Sequence, residues 1–151
     1  MDIGSGNGYP AANLSNFAPH EFTIDGVKCA SMEGFLQSLK FSNPEMRAEV
    51  CKLVGKAAKF KGKKKKWQRT QTLYWQGKEY SRTGEEYQQL LDHAYDELGK
   101  NESFRKAFLA TQNATLTHSI GKKKQQETVL TVQEFTSRLY RLREKFQKEQ
   151  M

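Results

Sequence analysis

A mainly α-helical domain with a small N-terminal β-hairpin is what these 151 residues predict. Three observations carry that expectation. Apolar residues recur at helical spacing in several segments, cap signals stand at the heads of those segments, and one short alternating stretch folds back about Asp25-Gly26.

Residues 1–13, rich in Gly, Asn and Ala, read as an N-terminal loop. Residues 20–24 and 27–29 alternate apolar and polar around Asp25-Gly26, a dipeptide that favours a two-residue hairpin turn. From Ser31 the period changes. Met32, Phe35, Leu36 and Leu39 form the stripe of a buried helix face, with Ser31 as N-cap. Asn43-Pro44-Glu45 opens a second helix that should stop near Gly55. Thr83-Gly84-Glu85-Glu86 has capping-box spacing ahead of Tyr87, Leu90, Leu91, Ala94 and Leu98. Asn101 caps a shorter helix carrying Phe104, Phe108 and Leu109. Thr131-Val132-Gln133-Glu134 is a second capping box, for a helix presenting Phe135, Leu139, Leu142 and Phe146, with residues 146–151 as a C-terminal tail. Residues 67–80 fit either helix or strand.

The length suits a single domain over residues 1–151, and 36% hydrophobic with 28% charged residues is enough to bury a core. No stretch approaches the roughly 18 apolar residues of a membrane span, and residues 1–6 lack the basic and apolar regions of a signal peptide. Cys29 and Cys51 make no CxxC pair, and His20, His93 and His118 show no ligand spacing. The expectation is a soluble protein of a reducing compartment, with no metal and no cofactor, its histidines serving as surface or core residues.

The chain carries a net charge of +8, concentrated in residues 56–66, which hold seven lysines and no acid; Lys122, Lys123 and Lys124 form a second cluster. Such a run is either a solvated loop or an attractor for phosphate-bearing partners, and Trp67 directly after it suits a base beside a phosphate.

On the first helix, Glu33, Gln37 and Lys40 share a face along the margin of the apolar stripe. A carboxylate, an amide and an amine there either form an ordinary polar stripe or meet a ligand where burial shifts their pKa values.

Several segments together resemble the NADAR (YbiA-like) family: Leu14-Ser15-Asn16-Phe17, Phe22-Thr23-Ile24-Asp25-Gly26, residues 31–41 with Glu33, Gln37 and Lys40, Gly55-Lys56, Trp67, and Leu139-Tyr140-Arg141-Leu142-Arg143. Their order and spacing cover most of residues 13–145. Two departures stand out. Many relatives have His where this chain has Gly34, and residues 117–131 lack the Trp-Gly and Gly-x-Asn-x-Leu-Gly pattern that precedes the last helix in many members.

The resemblance implies an N-glycosidase acting on a bond between ribose C1′ and an exocyclic amine. Some members hydrolyse phosphoribosylamino-pyrimidine intermediates of riboflavin synthesis. Others remove ADP-ribose from guanine in nucleic acid, reversing a toxin's modification. By the same resemblance Glu33 is the general acid/base, and Lys40 is either the C1′ nucleophile or an electrostatic anchor. Gln37 orients the ribose, Asn16 and Phe17 line the pocket, Lys56 contacts phosphate, and Arg82 is a further substrate contact. Phe17 and Trp67 either stack on a base or pack in the core. The basic run favours ADP-ribosylated DNA as partner over a small metabolite, with an antitoxin or anti-defence role in a bacterial or phage-infected cytoplasm. A small-molecule pyrimidine glycosidase and a non-catalytic binder of ADP-ribose, NAD or nucleic acid are the competing functions.

Overall fold

In the computed structural model, which describes residues 1–150, Asp25 and Gly26 both take positive φ, +49° and +79°, as a two-residue hairpin turn between right-twisted strands requires. The turn joins β1 (Phe22–Ile24) to β2 (Val27–Cys29), with Phe22 opposite Cys29 and Ile24 opposite Val27. A second hairpin, β3 (Thr72–Trp75) and β4 (Lys78–Ser81), resolves the ambiguous 67–80 stretch. Its turn residues Gln76 and Gly77 repeat the same backbone signature, φ +48° and +77°. The indole N–H of Trp75 donates to Asp25 at 2.8 Å, so the two turns are tied to each other.

α1 (Met32–Ser38) is capped as expected, the Ser31 hydroxyl accepting from the Gly34 N–H at 3.0 Å. α2 (Pro44–Cys51) is capped by Asn43, which accepts from the N–H groups of Glu45 and Met46. It ends at Cys51, short of the Gly55 that was expected to stop it. Gly55 instead opens α3 (Gly55–Lys63), so the lysine run is a helix for most of its length and not a loop. Only Ala58 and Gly62 of α3 are buried, both nearly side-chain-free, and this brings its backbone close against α1. α4 (Glu85–Leu98) starts without a side-chain cap: Gly84, not Thr83, takes the N-cap place. α5 (Glu102–Ala110) has the Asn101 cap. α6 (Val132–Glu149) has the complete Thr131/Glu134 capping box and runs through the residues expected to form a tail; Phe146 is buried against Phe108, with ring centres 5.7 Å apart.

Residues 1–13 are more than a loop. Asp2 bridges Thr117 in parallel, Ile3 is fully buried, and Ala11–Leu14 form a 3-10 turn. The core is one apolar cluster, in which Phe35 of α1 meets Trp75 of β3 and Phe22 of β1 at ring separations of 5.0 and 6.1 Å. The expected mainly helical fold is therefore present, with two small antiparallel hairpins rather than one. Among the described residues no helix is long and apolar enough to cross a membrane.

Gly34 has a packing reason. A Cβ there would sit 2.5 Å from the Leu53 carbonyl oxygen and 3.1 Å from that of Val50, both backbone atoms. α1 thus rests on the turn after α2 at a distance only glycine permits, and the His found here in many NADAR sequences has no room. Gly34→Ala is expected to lower stability by about 1–3 kcal/mol, the usual cost of overpacking. The denaturant midpoint measures it; an unchanged midpoint would mean that α1 and this turn can part freely.

Candidate active site

Because α1 buries Met32, Phe35, Leu36 and Leu39, its margin row of Glu33, Gln37 and Lys40 comes to lie along the floor of a cleft of about 450 Å³. One rim is α3, through Lys59 and Lys63, continued by Lys65 and Trp67. The segment with His118, Ile120 and Lys122 and residues 127–130 also line it. The Ser15-Asn16-Phe17 loop closes one end. A hollow of about 540 Å³ beside α2, lined by Phe41, Met46 and Glu49 among others, is more open and contains none of Glu33, Gln37 and Lys40.

Each motif side chain is held from several directions. The Glu33 N–H donates to the Asn16 carbonyl at 3.0 Å, pinning the loop to the head of α1. The Asn16 side-chain oxygen accepts from the Tyr95 hydroxyl at 2.8 Å. Gln37 donates to a Glu33 carboxylate oxygen at 3.1 Å. Its own Oε1 is buried without a partner, lying where a Cβ on Gly62 would be. Lys40 donates to the Gly62 carbonyl at 3.4 Å. The Lys59 ammonium stands 5.9 Å from the centre of the Phe17 ring.

Burial is what tunes this row. It lifts the Glu33 carboxyl above the usual carboxylate range, although the Gln37 hydrogen bond and the charges of Lys40, Lys59 and His118 pull the other way. Burial also lowers the Lys40 amine to about 8, against the pull of Glu33 and with some help from Lys122. A carboxyl shifted up and an amine shifted down thus share one cleft, the direction that favours proton donation beside a nucleophile or anchor.

The lining includes five lysines against two glutamates, Glu33 and Glu127, and so favours an anion. Asn16, Phe17, Gln37 and Trp67 all reach the cleft. Phe17 is half-buried in its wall, whereas Trp67 is 3% exposed and mainly a core residue with an edge on the site. Two expected contacts are not there. Lys56 is exposed on α3 outside the cleft, while Lys59 and Lys63, at i+3 and i+7 from it, are on the cleft side. Arg82 is fully buried away from the lining, paired with Glu134 at 2.6 and 3.1 Å and donating through Nε to the Thr128 carbonyl at 2.7 Å. His118, expected to be a surface or core residue, lines the cleft. Its position depends on the N-terminal arm, a pairing over 115 residues that no local pattern announces.

Comparison with known proteins agrees with this architecture. The chain matches the family described as "Bacteriophage protein GP30.3" over residues 8–144. It is 36% identical over 149 residues to an uncharacterized 17.1 kDa protein of the Gp30-rIII intergenic region of Enterobacteria phage T4, covering 95% of this chain and 97% of that one. The NMR structure of the E. coli protein YbiA superposes with a TM-score of 0.62 at 18% identity, covering 99% of this chain and 86% of that one. The chain belongs to the bacteriophage GP30.3 family and has the YbiA-like fold that its NADAR-like motifs implied.

Proposed function

We propose that this protein is a hydrolase that cleaves the N-glycosidic bond between ribose C1′ and an exocyclic amine, and that it removes ADP-ribose from guanine bases of DNA. The observation that carries the reading is the convergence of Glu33, Gln37 and Lys40 on the floor of one lysine-rimmed cleft. The bond concerned is an N,O-aminal. Glu33, its carboxyl shifted up by burial, gives a proton to the departing nitrogen as the C1′–N bond breaks and the ring oxygen takes up the developing cation. Lys40 either attacks C1′, passing through a Schiff base that water then hydrolyses, or holds the diphosphate. Gln37, hydrogen-bonded to Glu33, orients the ribose beside it.

The preference for a polyanionic substrate rests on the rims. One or two lysines satisfy a single phosphate, but Lys59, Lys63, Lys65 and Lys122 all line the cleft, and exposed Lys56 and Lys64 add to the cationic surface beside it. Phe60, 60% exposed among these lysines, offers an aromatic surface for a base. A relative encoded by a phage suits an anti-defence role in which a toxin's DNA modification is undone.

The test is incubation with a guanine-ADP-ribosylated oligonucleotide and, separately, a phosphoribosylamino-pyrimidine. ADP-ribose should be released from the oligonucleotide only, with KM rising steeply with salt. Cleavage of the pyrimidine alone would assign the small-molecule activity, and binding without release would assign a non-catalytic module. Borohydride added during turnover should trap an adduct on Lys40; a clean failure assigns Lys40 to phosphate anchoring.

A further inference from the structure

We propose that His118 is a catalytic base in this cleft, taking a proton from the water that attacks C1′. The proposal rests on the glycosidase reading and adds to it a group that the family motifs do not supply. Nδ1 of His118 lies 2.8 Å from the carbonyl oxygen of Ile3. A carbonyl only accepts, so Nδ1 carries the hydrogen, and in the neutral ring the lone pair is on Nε2. Nε2 has no hydrogen-bond partner among the described residues, and the ring lines the same cleft as Glu33.

The surroundings fix this orientation. Ile3 is fully buried, and its N–H donates to the Thr117 carbonyl at 2.7 Å. Asp2 accepts from the Ser119 N–H at 2.8 Å, the Ser119 hydroxyl at 2.6 Å and the Thr117 hydroxyl at 3.0 Å, so both neighbours of His118 are held. The imidazole stands edge-on to Phe135, ring centres 5.0 Å apart. Gly121 packs against the ring: a Cβ there would come within 2.6 Å of Cδ2 and 3.2 Å of Nε2, so only glycine fits beside that edge. A main-chain carbonyl holding one ring nitrogen of a histidine that lines a reaction cleft leaves the other nitrogen for proton transfer, the arrangement a general base needs.

The step balances. In the water-attack branch, the water oxygen bonds to C1′ and its proton passes to Nε2 while Glu33 gives its proton to the leaving amine. In the Lys40 branch, the same base activates the water that hydrolyses the Schiff base. Either way the products are a ribose with a C1′ hydroxyl and the free amino base, and the imidazolium proton returns to Glu33 through solvent.

The test uses His118→Asn, whose side-chain amide keeps a donor for the Ile3 carbonyl, and His118→Gly, which leaves a space for imidazole. Turnover of the ADP-ribosylated oligonucleotide by His118→Asn should fall at least about 100-fold, the low end for a lost acid–base group. Its thermal midpoint and its ADP-ribose affinity by calorimetry should stay near the parent values. Added imidazole should raise the rate of His118→Gly at least tenfold. Turnover by His118→Asn within threefold of the parent overturns the proposal, as does loss of rate without imidazole rescue but with loss of ADP-ribose binding, which would make His118 a wall of the site only. A parent protein that cleaves no aminal fails the glycosidase reading itself, and this assignment with it.

Discussion

A Glu33→Gln variant is expected to fold as the parent does and to lose turnover by about 10²–10⁴-fold, the range for removal of a general acid. The substitution keeps shape and keeps an oxygen that accepts the 3.1 Å hydrogen bond from Gln37. It removes a carboxyl that burial already disfavours in its charged form, so little stability is at stake. Only an ionised Glu33 would complement the dipole from the first turn of α1, a contribution worth about 0.3–1 kcal/mol. The two roles open to Glu33 therefore separate cleanly. If it only complements the helix dipole, the thermal midpoint falls slightly and turnover stays; if it donates the proton, the midpoint stays and turnover vanishes. Retained turnover on the oligonucleotide would remove Glu33 as the acid.

The row of Glu33, Gln37 and Lys40 was legible because it is local. Its three residues share one helix face, and the stripe beside them is read from the same 3.6-residue period. The caps at Ser31, Asn43, Asn101 and Thr131 are legible for the same reason, each spanning no more than three residues. α3 was hidden because its contact with α1 is made by missing side chains. Gly62 and Ala58 give no apolar stripe, and the lysines around them read as loop. Gln76-Gly77 was a usable turn signal in a stretch whose residues, Thr72-Leu73-Tyr74-Trp75 among them, fit either helix or strand. His118 and Arg82 lay beyond any window. One is placed by Ile3 and the other by Glu134, 52 residues away, and nothing near either one distinguishes a cleft imidazole from a surface one or a buried guanidinium from a substrate contact.

Removing Arg82 should cost about 3–5 kcal/mol of stability, as breaking a buried ion pair from one side does. That is a large part of the 5–15 kcal/mol a domain of this size has in hand. Arg82→Ala strands the Glu134 carboxylate, 3% exposed, with the Gln88 amide and the Thr131 N–H as its remaining close donors. It also frees the Thr128 carbonyl and empties the space beside the Tyr87 ring, 4.9 Å from the guanidinium. Thr128 and Val129 belong to the cleft wall, so Arg82 supports the site from behind without touching its contents. Two measurements distinguish this from the substrate contact expected from sequence. In denaturant the midpoint should drop sharply, and an Arg82→Met, Glu134→Leu double variant should recover much of the loss, because paired apolar residues replace a buried ion pair at little cost. At a temperature where the single variant is still folded, its KM should equal the parent's; a raised KM with an unchanged midpoint would restore Arg82 to the substrate. Acid gives the same answer from the other partner. Burial alone would raise the Glu134 carboxyl, but the Arg82 hydrogen bonds and charge, with the Thr131 N–H and Gln88, bring it down to about 2. A folded-state value below the ordinary 4.5 stabilises the native form fully above pH 4.5 and is lost as pH falls toward 2, a change of about 3 kcal/mol. The parent should lose that increment across this window, and the Arg82→Ala variant, with the cation gone, should show a much shallower slope.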